Sequence, residues 1–411
     1  MTKRAYHDNG ALSCQAIVLD CVAVEGGYEI LTDVTAIFPE SGGQLSDTGR
    51  IGDAVISHAR EEGELVWHMA DRPLEKGAVV TVTADEEPRI DHTCQHSGEH
   101  ILSGLASKLF GAVNVGFHMA EDYATIDLDT FLTHEQIQQL QREANRAVQR
   151  NVPVTSVVVR GEELENMPLR KQAKGLTGDI RIVYFEDGAV DSCTCCGTHV
   201  AYSGEVGYIK ITSHIKYKGG VRIWFACGMR AVEDSLKNQD IVDTLAVRFS
   251  AKAEDVVSAV IRQGDELNAA KHQLRERTQQ LQKYISAELL QRAESIGGAR
   301  LVVSLQQDAR MNELKTLAEK LTEQPEAVAV LFSLNGETLM YQLARGKAVK
   351  NSMRELIQAV NAAVGGKGGG RDEFAQGSAA VGGATDVEGT VEQIRSYCRA
   401  VLKGSKGKIY R

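Results

Sequence analysis

Two pairs of side chains in this chain are spaced to hold one metal ion. His96-Ser-Gly-Glu-His100 reads H-x-x-x-H inside EEPRIDHTCQHSGEHILSGLASKLF, where Ile101, Leu102, Leu105 and Leu109 mark a helical stripe. Spacing of i, i+4 puts both imidazoles on one helix face. About a hundred residues on, Cys195-Cys-Gly-Thr-His199 reads C-x-x-x-H. Three imidazole nitrogens and one thiolate sulfur form a borderline-soft donor set that suits Zn²⁺. Spacing leaves substitutes open: His92 lies four residues before His96, and Cys193 and Cys196 flank Cys195. Cys94 points to another face of the helix and reads as a small core residue. Cys14, Cys21, Cys227 and Cys398 sit in apolar segments, where packing explains them. Glu99, between the two histidines, reads either as a general base or as a solvated helix-face charge.

The elements that must position these groups can be read in outline. Residues 14–85 are rich in β-branched runs separated by glycine pairs and polar clusters, which suggests a small barrel or sandwich. The helical pattern begins at Glu86. Two strands (AVNVGFHM, YATIDLD), a helix from about His134 to Arg150, two more strands (PVTSVVVR, DIRIVYF) and a hairpin around KGG follow. From Ala231 to about Ser295 the pattern is helical. Val260, Leu267, Leu274 and Leu281 recur every seven residues, but the alternate seam positions Gly264, Lys271 and Thr278 are poor, so the expectation is a helical hairpin packed on itself. The last third alternates strands and helices. Gly365–Gly366 closes a helix, and GGKGGGRDEFAQGSAA is expected to be a loop.

Composition narrows the class. The chain has 411 residues, enough for two to four domains at roughly 100–200 residues each. With 43% hydrophobic and 25% charged residues it is neither disordered nor fibrous. No apolar run is long enough to span a bilayer and no apolar core follows the first basic residues, so a cytoplasmic protein with no membrane partner is expected. Eight cysteines are too sparse for a disulfide scaffold; the crowding of Cys193, Cys195 and Cys196 points to metal or redox chemistry. The net charge of −9 is uneven: 15 Lys and Arg against 12 Asp and Glu from Leu301 onward, but 31 against 43 before it. A polyanionic partner would have to meet local basic patches, most plausibly toward the C-terminus.

Four ordered motifs, TAIFPESGGQLSDTG, HSGEHILSGL, CCGTHV and VGYIKI…KGGVRIWFACGMRA, resemble the editing domain of alanyl-tRNA synthetase and its free-standing relatives of the AlaX type. GGKGGGRDEFAQGSAA resembles the glycine-rich signature of the DHH-associated C-terminal domain. Together they resemble the long AlaX form, without an aminoacylation core. The resemblance implies an α+β fold: an N-terminal small β-barrel at 1–88, a zinc-containing α/β editing domain at 89–231, a helical linker at 232–295 and a C-terminal α/β domain at 296–411. It selects His96, His100, Cys195 and His199 as ligands. C-C-G-T-H stands where C-G-G-T-H is commoner, so Cys196 occupies a glycine position and the thiolate remains open between Cys195 and Cys196.

The implied activity is that of a trans-editing hydrolase, an aminoacyl-tRNA deacylase that cleaves the ester of mischarged tRNA(Ala), chiefly Ser-tRNA(Ala) and also Gly-tRNA(Ala). A site that spares alanine should hydrogen-bond the serine hydroxyl. Thr35 falls on the position that resembles that reader. Gly42 and Gly43 would let backbone approach the terminal adenosine or ester, and Gln44 would donate to the carbonyl oxygen; Thr198, beside the ligands, joins the substrate contacts. Asp47 and Gly49 finish the turn. Lys367 and Arg371, in a loop that is not a Walker A sequence, would meet tRNA phosphate, aided by Lys403, Lys406, Lys408 and Arg411. A homodimer through the helical linker or the C-terminal domain stays open. The competing reading is a non-catalytic, zinc-stabilised tRNA-binding protein. A thiol redox protein is disfavoured because C-x-C-C is not C-x-x-C, and a phosphoesterase because no Asp-His-His run occurs.

Overall fold

The computed structural model describes residues 1–7, 11–160, 164, 167–170, 178–382 and 386–404. Lys406, Lys408 and Arg411 of the basic tail lie outside the described residues. The chain divides into two compact units, Met1–Val256 and Val257–Arg411.

The first unit opens with β1 (Lys3–Arg4), β2 (Ser13–Val24), β3 (Gly27–Thr32), β4 (Val34–Thr35), β5 (Gly49–Ile51), β6 (Ala54–Glu62), β7 (Leu65–Ala70) and β8 (Val79–Ala84). Six of these close into a barrel in the order β2-β3-β7-β6-β5-β8, and β1 pairs in parallel with β4. Barrel width grows with strand number. Six strands leave a narrow interior, and alanines fill much of it: Ala16, Ala54, Ala59, Ala70 and Ala84 pack with Ile30, Ile51 and Val82.

Helix α1 (Glu86–Phe110) follows, with two glutamates in its first turn, where the helix dipole favours them, and left-handed Gly111 closing its end. Then come β9 (Asn114–Met119), β10 (Ala124–Leu128), α2 (His134–Gln149), β11 (Val154–Arg160), β12 (Asp179–Phe185), β13 (Asp191–Thr194), β14 (Ile209–Tyr217) and β15 (Gly220–Cys227). They form a four-stranded antiparallel sheet, β14-β15-β10-β9, and a three-stranded one, β11-β12-β13. Thr133 and Gln136 close a capping box on α2. Its Ile137, Leu140, Ala144 and Ala147 join Ile101, Leu102, Ile126, Ile223 and Phe225 in one core. Helix α3 (Met229–Phe249) completes this unit.

The second unit holds nearly all of α4 (Val256–Gln291), then β16 (Glu294–Ile296), β17 (Ala299–Gln307), α5 (Met311–Leu321), β18 (Ala327–Asn335), β19 (Thr338–Arg345), α6 (Met353–Val364), β20 (Lys367–Gly370), β21 (Phe374–Ala380) and α7 (Val387–Leu402). The sheet order is β16-β17-β18-β19-β21-β20, with only β17 and β18 parallel, joined through α5. Its two faces carry separate cores. One packs Leu314, Leu317 and Leu321 of α5 with Ile285 and Leu289 of α4; the other packs Met353, Ile357 and Val360 of α6 with Ile394 and Cys398 of α7.

Two expectations change. Val260, Leu267, Leu274 and Leu281 on α4 are 44–68% exposed, so this stripe is not the buried seam of a hairpin. The glycine-rich run is not a loop: Lys367–Gly370 pairs with Phe374–Ala380 as a hairpin. A Cβ at Gly366 would run into the Tyr341 hydroxyl, so side-chain-free residues let this edge lie against the sheet. Lys367 and Arg371 are exposed on that hairpin.

Candidate metal centre

One ligating atom each from His96, His100, Cys195 and His199 lies within 4.8 Å of all the others. Helix α1 supplies the first two from one face. The loop after β13 supplies the other two, and it can reach them because residue 197 is glycine: a Cβ there would collide with the His96 ring. Cys195 Sγ stands 3.4 Å from His96 Nε2 and 3.3 Å from His199 Nε2.

The adjacent cysteines point in different directions. Cys195 Sγ faces the imidazoles, whereas Cys196 Sγ turns to Ser41 Oγ at 3.3 Å. Burial would raise the Cys195 pKa, but His96, His199 and His100 outweigh it and hold the thiol well below its usual range. Burial pushes the Cys193 and Cys196 thiols up. Cys193 belongs to a second group with His100 and Asp191, which shares His100 with the first. His92 is buried on the barrel side of α1 and is not among the four.

Each imidazole is held from behind. His96 Nδ1 donates to Gln44 Oε1 at 2.8 Å, His100 Nδ1 to Asp191 Oδ2 at 2.8 Å, and His199 Nδ1 faces Ser97 Oγ at 3.3 Å. Such partners fix the tautomer and leave Nε2 free to ligate. Asp191 is fully buried. Burial opposes its charge, but hydrogen bonds from His100 and Arg170 prevail and hold its pKa down at about 2. Arg170 reaches it twice, Nε to Oδ1 at 2.5 Å and Nη2 to Oδ2 at 3.1 Å. Glu99 is not a solvated charge: it is buried, and its Oε1 accepts from Ser103 Oγ and Asn114 Nδ2.

The PESGGQ loop is brought here together with Thr198. Gln44 Oε1 also accepts from Thr198 N at 3.1 Å, and Nε2 donates to Thr198 Oγ1 at 2.9 Å, so Gln44 ties His96 to the ligand loop. Thr198 is buried behind it, with Thr93 Oγ1 2.7 Å from its hydroxyl. Gly42 and Gly43 have positive φ, 59° and 85°; Cβ atoms there would press on Cys196 Sγ and on the Phe117 ring, which packs 5.2 Å from His96. Gly42 also lines the cavity beside His96, His100 and Cys195.

Thr35 is not brought to the ligands. It is fully buried; its hydroxyl donates to His68 Nε2 at 2.8 Å and accepts from Ile37 N at 3.0 Å. Burial lowers the His68 pKa to about 4, so the neutral ring accepts at Nε2 and donates from Nδ1 to Ile30 O. These bonds consume the hydroxyl in the barrel interior. Asp47, expected merely to finish a turn, is the buried partner of Arg89 on α1 and also accepts from Phe38 N at 2.7 Å, so it ties the PESGGQ loop to the helix. Asp191, Arg170, Ser97 and Phe117 went unrecognised in the sequence. A signal existed for one: Asp191, Cys193 and Cys195 recur at period two, one face of a strand.

The cluster opens on a cavity of about 560 Å³. His96, His100, Cys195, Glu99, Phe117 and Arg181 are among its walls. Arg181 Nη1 donates to the carbonyls of Cys195 and Gly197, at 3.2 and 2.9 Å, and so braces the ligand loop. His7 donates from Nε2 to Cys196 O at 2.8 Å; burial and the nearby Arg181 lower its pKa to about 4.

Barrel, helix and sheets converge on three imidazoles and one thiol that could hold a metal ion, with His96, His100 and Cys195 on the wall of the cavity. Family models match the chain in two places: residues 180–223 match the "Threonyl and Alanyl tRNA synthetase second additional domain", and residues 297–400 the DHHA1 domain. The alanyl-tRNA editing protein AlaX-L of Pyrococcus horikoshii is 26% identical over 417 residues, 97% of this chain and 99% of that one. The alanine–tRNA ligase of Pyrococcus furiosus is 30% identical over 390 residues, 92% of this chain and 41% of that one. The alanyl-tRNA editing protein Aarsd1 of Bos taurus is 32% identical over 241 residues, 58% of this chain and 54% of that one. The chain spans about two fifths of the length of the alanine–tRNA ligases it matches. It is a homologue of AlaX-L, and its two family domains match the long AlaX type.

Proposed function

We propose that this protein is a trans-editing hydrolase, an aminoacyl-tRNA deacylase that acts in the cytoplasm on mischarged tRNA(Ala), chiefly Ser-tRNA(Ala) and also Gly-tRNA(Ala). The observation that carries the reading is the four-ligand cluster, three of whose residues line a cavity, in a chain whose relatives include named alanyl-tRNA editing proteins.

His96, His100, Cys195 and His199 would hold Zn²⁺. The Sγ–Nε2 separations of 3.4 and 3.3 Å lie close to the roughly 3.5 Å that a sulfur and a nitrogen bound to one zinc ion would need. Zinc bound there would act as a Lewis acid toward the ester carbonyl or an attacking water. The chain's own residues prepare the rest. Gln44, Asp191 and Ser97 keep the three rings aimed, Arg181 and Gly197 hold the loop against α1, and Phe117 gives the cavity an apolar wall. Thr35 supports the PESGGQ loop through His68. Lys367 and Arg371 of the second unit are proposed as further tRNA contacts.

A second reading, a non-catalytic tRNA-binding protein with structural zinc, is favoured by one observation: four protein ligands already complete a tetrahedral shell. Hydrolysis of Ser-, Gly- and Ala-tRNA(Ala), measured on protein of known metal content, separates the two. The deacylase reading expects one zinc per chain, release of serine and glycine, and sparing of alanine. Full zinc occupancy with no hydrolysis would establish the structural role instead.

A further inference from the structure

A polyanion approaching the first unit meets mostly repulsive surface. From Met1 to Val256 the chain carries 38 Asp and Glu against 24 Lys and Arg. One cavity on this unit, about 930 Å³, is lined by Glu40, Glu86, Glu87, Asp91, Glu121 and Glu233 among others. One face is different. Two hollows of about 610 and 450 Å³ lie along α2 and share Gln141 and Arg142. Among the described residues no Asp or Glu lines either one.

The platform beneath them is rigid. β14 is an edge of its sheet, and α2 covers that edge with side-chain amides. Asn145 both donates to Ile209 O at 2.7 Å and accepts from Ile209 N at 3.0 Å, while Gln141 accepts from Ile211 N at 2.7 Å. Outside this clamp, Arg142 is exposed and makes no ion pair among the described residues; Arg146 is exposed and holds only Glu143, itself on α2. His134 and His214 stack at 5.7 Å, and Lys216 stands over the Phe131 ring at 6.0 Å. The rim is thus cations, amides, hydroxyls and flat rings. Such a surface suits ribose hydroxyls and phosphates, by which proteins hold duplex RNA through its shape.

The groove is also placed to share one RNA with the cavity. Asn114 and Phe117 on β9 line the cavity; Ile211 to His214 on β14 line the groove. In the sheet order β14-β15-β10-β9 these are opposite edges, three strand spacings or about 14 Å apart. A single-stranded 3′ end entering the cavity would leave its paired stem near that distance.

We propose that the α2–β14 groove is a docking surface for the duplex stem of the RNA whose 3′ end enters the metal cavity; this rests on the deacylase reading. The test uses the full chain carrying Arg142→Gln and Arg146→Gln together, with Lys216→Gln as a second variant outside α2. Binding of tRNA and of a duplex RNA hairpin is measured against salt, and KM and kcat are measured with Ser-tRNA(Ala). The expected result for the double variant is a log–log salt slope shallower by about 2, one unit per lost phosphate contact, and a raised KM with the effect falling on KM and not on kcat. Lys216→Gln should shift the slope by about 1 in the same direction. Unchanged slopes and KM in both variants would overturn the inference. If the unaltered protein binds tRNA but hydrolyses nothing, the deacylase reading fails on its own, and the salt slopes still decide the groove: shallower in the variants supports it, unchanged removes it.

Discussion

Replacing Asp191 with Asn would keep the shape of a fully buried side chain and remove its charge. In the parent, Oδ1 accepts from Arg170 Nε, while Oδ2 accepts from both His100 Nδ1 and Arg170 Nη2. Asparagine has one acceptor oxygen and one donor amide. If the oxygen faces His100, the amide faces the guanidinium and Arg170, with 7% of its side chain exposed, becomes a buried cation without its partner. If the amide faces His100, Nδ1 must accept, the proton moves to Nε2, and that nitrogen cannot ligate. Neither orientation serves both neighbours. Removing one member of a buried ion pair costs about 3–5 kcal/mol, and losing the partner behind a ligating histidine weakens metal binding about 10–100-fold, or roughly 1.4–2.7 kcal/mol. Zinc affinity from chelator competition and the unfolding free energy of the metal-free protein read the two losses separately. Affinity within about twofold of the parent, with unchanged stability, would refute the reasoning that Asp191 sets the His100 tautomer and neutralises Arg170.

Two further outcomes follow from the geometry. Cys195→Ser should abolish stoichiometric zinc and the thiolate charge-transfer band of the cobalt-substituted protein, while Cys196→Ser should preserve both; the reverse pattern would mean that Cys196 is the ligand. The neutral burial of His68, with His7 beside Cys196 acting in the same direction, should make the first unit sensitive to acid. The folded pKa of His68 is about 4 against about 6.5 when unfolded, so between these values the unfolded chain binds the extra proton. Stability is therefore complete above about pH 6.5 and falls as pH drops toward 4, by roughly 3 kcal/mol for this residue. Urea unfolding followed through the fluorescence of Trp67 and Trp224, both in the first unit, checks this: His68→Gln should flatten the profile, and a parent profile already flat from pH 7 to 5 would contradict it.

The sequence by itself settled what is local. The i, i+4 spacing of His96 and His100 needed only a helix, and the apolar stripe of α1 guaranteed one. Strands such as DIRIVYF and AVAVLFSL, and the closing of α6 at Gly365, were legible because β-branched runs and a left-handed cap act over a few residues. The resemblance of four short motifs added the ligand set. What the sequence left open depended on contacts between distant segments. Cys195 and Cys196 are adjacent and chemically alike; only the loop turning over α1, permitted by Gly197, aims one thiol at the imidazoles and the other at Ser41. Thr35 had the right hydroxyl for a substrate contact, but barrel closure gave it to His68. Gln44 also gained neighbours the sequence does not show, because His96 and Thr198 converge on its carboxamide from two other segments. The glycine-rich run lacked every strand signal, since its pairing comes from backbone against β21 and not from side chains. The acid-free groove along α2 was invisible for the same reason: helix and strand are 60 to 80 residues apart, and only packing lays their cations and amides side by side.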